Sequence, residues 1–325
     1  MVRFGVLGTA RAVTNGLLAP AKETPGVEVA AVASRTAQKA EEFAARHGIA
    51  RGFGSYEALL ESGDIDAVYV ALPPALHFPW TRRALEAGKH VLCEKPLAEN
   101  AQLAGELALC ARSHGRVLVE AMHLRYLDLL HRQRELATSG SFGKVVRIET
   151  CLRTPFMRMA KDDFRLRFEL GGGAALDLGC YAVSCLRYIA GEEPEVLSVS
   201  HKCVRPQVDR WMRALLRFPS GIEGAVEFGF RGLYTPRVFV LVTCENGWIK
   251  WDGKDLEYAK NAGEPTRESS TTKSTYQLQL QAFVQSVNGD SSTALPPEDA
   301  VLTARILDAM LKKSGLALRG ALPQP

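Results

Sequence analysis

The first third of the chain alternates short apolar, β-branched runs with helix-length amphipathic stretches. VRFGVLG (2–8), EVAAVAS (28–34), IDAVYVAL (65–72), HVLCEK (90–95) and RVLVEA (116–121) read as strands. Their apolar character is nearly continuous rather than alternating, as burial on both faces requires. Between them, TAQKAEEFAARHG (36–48) opens on a Thr cap and closes on Gly48, and SYEALLESG (55–63) opens on Ser55 and closes on Gly63. These are start and stop signals of helices. Strand–helix repetition at this spacing predicts a doubly wound parallel sheet with helices on both faces, an α/β domain over residues 1–122.

Beyond residue 123 a helical stretch runs to Gly140 and the texture then changes. KVVRIETCL (144–152), EVLSVSHKCV (195–204), WMRALLRF (211–218), GIEGAVEFGF (221–230), RVFVLVTC (237–244) and WIKW (248–251) follow, mostly without helices between them. Consecutive strands of this kind predict a large open, mainly antiparallel sheet, and so an α+β domain over 123–325. One helical segment, AALDLGCYAVSCLRYIAG (174–191), interrupts the series, the polar stretch 259–275 reads as loop or extended chain, and helical patterns at 276–288 and 298–314 close it. Trp211, Leu215 and Phe239 fit either an exposed sheet face or the core.

Composition narrows the class. The 325 residues are 46% hydrophobic and 23% charged, an ordinary globular balance. Lys plus Arg number 40 against 36 Asp plus Glu, and no basic tract concentrates the net charge of +4, so nucleic acid is not an expected partner. The chain runs from Met1 straight into a strand pattern with no signal-peptide architecture, and no apolar run approaches the ~20 residues that span a bilayer; a cytoplasmic location without membrane association is the expectation. Seven cysteines, an odd number without a C-x-x-C pair, suit reduced and mostly buried thiols. No His/Cys/Asp/Glu cluster has metal-ligand spacing, so no metal is expected.

Candidate chemistry sits at the strand ends. The first strand runs into Gly8-Thr9-Ala10-Arg11-Ala12-Val13, a variant of the G-x-G-x-x-G/A turn that keeps only the first glycine. Such a turn brings backbone N–H groups at a helix N-terminus close to a pyrophosphate; alone, it reads equally as a plain strand–helix turn. The second strand ends in Ser34, Arg35 and Thr36, where an acidic residue would bind the ribose of NAD. A hydroxyl and a guanidinium, with Lys39 one turn on, suit a 2′-phosphate instead and favour NADP(H), unless Arg35 and Lys39 are simply solvated.

The fourth strand ends in Cys93-Glu94-Lys95-Pro96, placing a lysine at the carboxyl edge of the sheet, where ligands bind in such folds. Lys95 is there a proton-transfer candidate or an ordinary surface lysine. Gly171-Gly172-Gly173 supplies a flexible lead into a helix on which Asp177 and Tyr181, four apart, share a face. A carboxylate and a phenol so placed orient and protonate an oxygen while hydride moves at the adjacent carbon. The plainer alternative is a helix-dipole Asp and a core Tyr.

In order and spacing this combination resembles the Gfo/Idh/MocA oxidoreductase family over essentially the whole chain. The shared features are the glycine turn at 8–13, ASR at 33–35, EKP at 94–96 and GGGAALDLGCY at 171–181. Tyr181, where many members carry His, looks like the branch containing glucose-fructose oxidoreductase and dimeric dihydrodiol and xylose dehydrogenases. The resemblance implies a Rossmann domain followed by an α+β domain, with substrate between them. It implies Tyr181 as the acid/base, Lys95 lowering its pKa and holding the reacting oxygen, and Asp177 orienting the substrate. Cofactor contacts implied are Gly8, Thr9, Ala10, Ser34, Arg35, Lys39, Glu94, Lys95 and Pro96, together with Leu72, Pro73 and His77 of a loop whose usual Asn is replaced; a lone His in such a loop reads otherwise as a structural hydrogen-bonder. Arg125, in the crossover 120–126, is a cofactor or substrate contact or else a structural ion pair. Arg165 and Arg167 either meet an anionic substrate or are paired or solvated.

The expected activity is NADP(H)-dependent hydride transfer at a CH–OH/C=O carbon of a small-molecule substrate: a sugar, sugar derivative or cyclic diol. A homodimer or higher homo-oligomer is expected. A nucleotide-sugar ketoreductase shares every residue named. A non-catalytic NADP-binding sensor would need only the phosphate-binding elements, and the full set of Lys95, Asp177 and Tyr181 argues against it.

Overall fold

The computed structural model describes residues 1–155, 160, 162–230, 236–290 and 292–320. It divides into two compact units, Met1–His123 with Ser274–Val301, and Leu124–Lys273 with Leu302–Pro325. The chain therefore returns to its first unit near its end, whereas a single cut after residue 122 assigns all later residues to the second.

The first unit holds β1 (Val2–Leu7), β2 (Val27–Ala33), β3 (Arg51–Phe53), β4 (Ala67–Val70), β5 (His90–Glu94) and β6 (Leu118–Ala121). They form one parallel sheet in the order β3-β2-β1-β4-β5-β6, the doubly wound arrangement whose ligands bind beyond the strand carboxyl ends. Helix Ala37–His47 starts where the side chain of Thr36 accepts from Lys39 N and ends at Gly48 with φ +68°. Helix Tyr56–Leu60 is capped by Ser55, whose Oγ accepts from Ala58 N at 3.2 Å. The returning helix Thr275–Val287 buries Leu280 and Phe283 completely, with the Phe283 ring 5.5 Å from that of Phe4 on β1. Its apolar face is visible in the sequence, but the sheet it covers is not. Removing the Phe283 ring costs about 3–5 kcal/mol.

The second unit holds β7 (Val145–Thr154), β8 (Glu195–Arg205), β9 (Val208–Arg217), β10 (Glu223–Phe230), β11 (Arg237–Cys244), β12 (Gly247–Trp251), β13 (Asp255–Lys260) and β14 (Thr266–Ser269). Their order is β14-β13-β12-β11-β7-β10-β9-β8, antiparallel except for the β7–β10 pair. β14 lies within the polar stretch read as loop or extended chain; it is mostly exposed and carries no apolar alternation to betray it. Helix Cys180–Ala190 packs on one face, over buried Ile148, Val226 and Phe228. The other face carries Trp211, Leu215 and Phe239, on the same side as Glu227, whose carboxylate accepts from Trp211 Nε1 and pairs with Arg153. These three are thus outward-facing and not core.

All seven cysteines are free thiols. Among the described residues no helix is long and apolar enough to cross a membrane.

Candidate active site

Gly8 follows β1 with φ +101°. A Cβ there would stand 2.6 Å from the Ala71 carbonyl oxygen, and its N–H donates to Ala33 O at 3.0 Å, so this position requires glycine on both conformational and spatial grounds. Thr9 is half-buried and Ala10 exposed. From Ala10 the chain turns into a helical run, Arg11–Val13, a π-turn over Thr14–Leu18, then Ala19–Lys22, whose start has no side-chain cap. Uncapped N–H groups beyond a glycine turn are what an anionic phosphate binds.

The third glycine of the motif normally allows the helix to approach its sheet closely. Here Val13 is buried in the core, and the close approach occurs at Gly16 within the π-turn, where a Cβ would overlap the Tyr69 hydroxyl. That hydroxyl in turn donates to Glu94 Oε1. The motif has moved one turn along the helix, a relocation that reading only the glycine spacing misses.

At the end of β2, Ser34 is 4% exposed and its N–H donates to Phe53 O. Arg35 and Lys39 are exposed, and neither has an ion-pair partner among the described residues. Arg35 lies near enough to Tyr56 to oppose the upward shift that burial imposes on that phenol. Two unneutralised cations and no acid at this strand end suit a 2′-phosphate, so these residues fit NADP(H).

His77 is 1% exposed, with Nδ1 2.6 Å from Pro96 O and Nε2 2.7 Å from Leu72 O. Its ring ties the loop after β4 to the Lys95–Pro96 turn from inside. The two carbonyls favour the imidazolium, but burial outweighs them and lowers the pKa. Leu72 and Pro73 are half-buried in that loop. Glu120 fixes the chain beyond Pro96 by accepting from Leu97 N at 2.7 Å.

Glu94 pairs with Ala121 across β5 and β6, so Lys95 and His123 follow the ends of adjacent strands, near enough for the lysine's charge to act on the histidine ring. His123 stacks on Tyr276, centroids 4.0 Å apart, and its Nδ1 lies 2.9 Å from Thr275 Oγ1. Burial, reinforced by the charge of Lys95, pushes the His123 pKa down to about 4. Burial raises the Tyr276 phenol, with Glu94 adding to the shift and Lys95 opposing it. His123 and Tyr276 are neighbours of Lys95 that the sequence reading did not assign.

In the second unit the triple glycine is fixed rather than flexible. Gly171 and Gly173 have φ of +77° and +121°, and a Cβ on Gly172 would come within 2.8 Å of three carbonyl oxygens, those of Phe164, Arg165 and Arg167. A π-turn, Ala175–Gly179, leads into helix Cys180–Ala190; Asp177 lies on the turn and Tyr181, 9% exposed, on the helix. Asp177 Oδ2 accepts from Arg165 Nε at 2.8 Å, and Arg165 also pairs with Asp163 at 3.3 Å. Burial alone would lower the Arg165 pKa, but the two carboxylates raise it. Arg165 is therefore paired within the chain, as is Arg167 with Glu169 at 2.6 Å. Arg125 is 9% exposed, donates to Ser184 Oγ at 3.2 Å and lies over the Tyr188 ring at 4.2 Å, a packing role on the helix that carries Tyr181.

Residues 2–122 match the oxidoreductase family with an NAD-binding Rossmann fold named for Gfo, Idh and MocA, and residues 130–250 match that family's C-terminal domain. The chain is 32% identical over 323 residues to D-xylose 1-dehydrogenase (NADP(+)) 2 of Haloferax volcanii, covering 96% of this chain and 97% of that protein. It is 34% identical over 229 residues to trans-1,2-dihydrobenzene-1,2-diol dehydrogenase of Mus musculus, covering 69% and 67%. Among solved structures, the 3-ketoreductase KijD10 of Actinomadura kijaniata, in complex with NADP and TDP-benzene, superposes with a TM-score of 0.87 at 27% identity over 96% of this chain and 97% of that one.

Proposed function

The chain belongs to the Gfo/Idh/MocA oxidoreductase family, and on that footing we propose that it is an NADP(H)-dependent oxidoreductase acting at a CH–OH/C=O carbon of a sugar, sugar derivative or cyclic diol. The observation that carries the cofactor choice is the end of β2, where Arg35 and Lys39 stand without carboxylate partners among the described residues and no acid is present to bind a ribose hydroxyl. The NADP named for the xylose dehydrogenase and held by the ketoreductase supports it.

Bound NADP(H) supplies or accepts the hydride. In reduction the Tyr181 phenol gives its proton to the carbonyl oxygen; in oxidation the phenolate takes the hydroxyl proton. The Lys95 ammonium stabilises that phenolate, so lowering the phenol's pKa, and holds the reacting oxygen. Asp177 accepts from a substrate hydroxyl, with its carboxylate oriented by Arg165. The Leu72–Pro73 loop and the Glu94–Pro96 turn, joined by His77, support the cofactor beside Lys95.

A second copy of the chain would cover the outward sheet face bearing Trp211, Leu215 and Phe239, and light scattering that finds only monomer at micromolar concentration overturns that part. The activity is tested by titrating the protein with NADPH and NADH, then screening aldoses, cyclic diols and keto-sugars, free and nucleotide-linked, for oxidation or reduction. NADPH preference with turnover of one of these classes is the expected result. Binding without any turnover would favour a sensor, and binding of neither cofactor removes the whole reading.

A further inference from the structure

We infer that Arg319, acting through Asp209, is a positioning residue for the helical run that carries Asp177 and Tyr181. The inference rests on the role proposed above for Tyr181. Both Arg319 and Asp209 are completely buried, and Arg319 Nη2 meets Asp209 Oδ1 at 2.7 Å. The other carboxylate oxygen, Oδ2, accepts from Ala175 N at 2.7 Å. Ala175 opens the π-turn, and no side chain of its own segment caps that start. Asp209, from β9, thus supplies the acceptor that a local Ser, Thr or Asp supplies elsewhere.

Arg319 completes the frame. Its Nε donates to Gly172 O at 3.1 Å and its Nη2 to Gln207 O at 3.0 Å, while Ala317 N donates to Gln207 Oε1 at 2.7 Å. The residues after the last helix, Pro297–Lys313, are therefore laced to the β8–β9 turn and to the glycine turn together. Gly173 lies against the pair: with φ +121°, a Cβ there would overlap Asp209 Oδ1 and stand 2.6 Å from Arg319 Nη2. A glycine at this position lets the buried ion pair reach the backbone of the turn. The sequence signal, three consecutive glycines, marks a close approach rather than a hinge.

A carboxylate with no water around it holds its charge only beside a cation. Without Arg319, Asp209 either remains uncompensated or takes a proton, and its grip on Ala175 N changes in both cases. Ala175 lies at the head of the run bearing Asp177 and Tyr181, so a change there moves both side chains together. A displacement of an ångström or less matters to proton transfer far more than to cofactor binding.

Two full-length variants decide the matter, Arg319→Met and the double variant Asp209→Asn with Arg319→Met, each compared with wild type and each, like wild type, paired with its Tyr181→Phe counterpart. Arg319→Met lowers Tm and reduces kcat for the best substrate of the panel by about 10- to 100-fold, with KM for NADPH little changed. The double variant regains most of the Tm, because no buried charge is left uncompensated, yet its kcat stays low. The Tyr181 phenol, read as the difference in phenolate absorbance between each protein and its Tyr181→Phe counterpart during a pH titration, shifts in both variants. A double variant with wild-type kcat and an unmoved phenol overturns the inference and leaves the pair as scaffolding alone. If Arg319→Met does not fold, the double variant carries the comparison. Full turnover by the Tyr181→Phe protein overturns the role of Tyr181 instead, and the phenol titration still reads whether the helix has moved.

Discussion

His123 lies nearly flat on Tyr276, with 23° between the rings, although one leaves β6 and the other opens the returning helix near the end of the chain. The stack stands where Lys95 leaves the sheet, and the lysine's charge acts on both rings in the same sense, lowering the pKa of each. A histidine held neutral here adds no second positive charge beside the ammonium of Lys95 at neutral pH.

The pH dependence of stability follows from that histidine. Its pKa falls from 6.5 to about 4 on folding. The unfolded chain therefore binds a proton that the folded chain refuses, and this share of stability is full above pH 6.5 and is lost as pH drops towards 4. His77, His90 and His131 are lowered in the same direction, so the readout is a difference. Denaturant titrations of wild type and His123→Phe, which keeps a ring on Tyr276, are expected to diverge only inside that window, with the variant losing less. Parallel curves would place the His123 pKa near its ordinary value.

Tyr181→Phe removes the hydroxyl assigned above to proton transfer and keeps the ring in its buried site. Turnover is expected to fall by roughly 100-fold or more, while the dissociation constant for NADPH stays within about twofold of wild type. A matching fall in cofactor affinity would mean that the substitution disturbs the cofactor site rather than the chemistry.

Arg35→Ala deletes a cation that makes no ion pair within the described chain, so the fold loses nothing. Affinity for NADPH is expected to fall by about 10-fold or more, the scale of a lost charge-assisted contact, with NADH nearly unaffected. Equal losses for both cofactors would remove Arg35 from the 2′-phosphate site.

Gly16→Ala and Gly105→Ala form a matched pair. Gly16 lies in the π-turn Thr14–Leu18 and Gly105 in the helix Ala101–Ser113, where alanine alone gains about 0.5–1 kcal/mol. At Gly105 a Cβ meets nothing within 4 Å, so that gain is expected as a higher Tm. At Gly16 the Cβ overlaps the Tyr69 hydroxyl, and an overpacking cost of about 1–3 kcal/mol wins. The outcome is a lower Tm and, because Tyr69 holds Glu94 beside Lys95, a reduced kcat. Stabilisation at both positions would show that the helix tolerates a wider spacing from its sheet.

By itself the sequence determined what depends on short-range pattern. Continuous apolar runs, caps at Thr36 and Ser55 and the stop at Gly48 sufficed for the parallel sheet, and the later series of strands sufficed for an open antiparallel one; the second helix, Tyr56–Leu60, has its C-cap at Glu61, before the Gly63 read as its stop. The motif residues Gly8, Arg35, Lys95, Asp177 and Tyr181 were legible because each stands at a strand or helix end. β3 was too short, at three residues, to show a period, and β14 too polar. Tertiary structure alone decided the long-range partnerships: His123 with Tyr276, Gly16 against Tyr69, Arg165 on Asp177, and Arg319 on Asp209. A side chain's spacing along the chain fixes the face it lies on, but which distant group it meets, and hence whether a charge stays free for a ligand or is neutralised inside the protein, follows only when the elements pack.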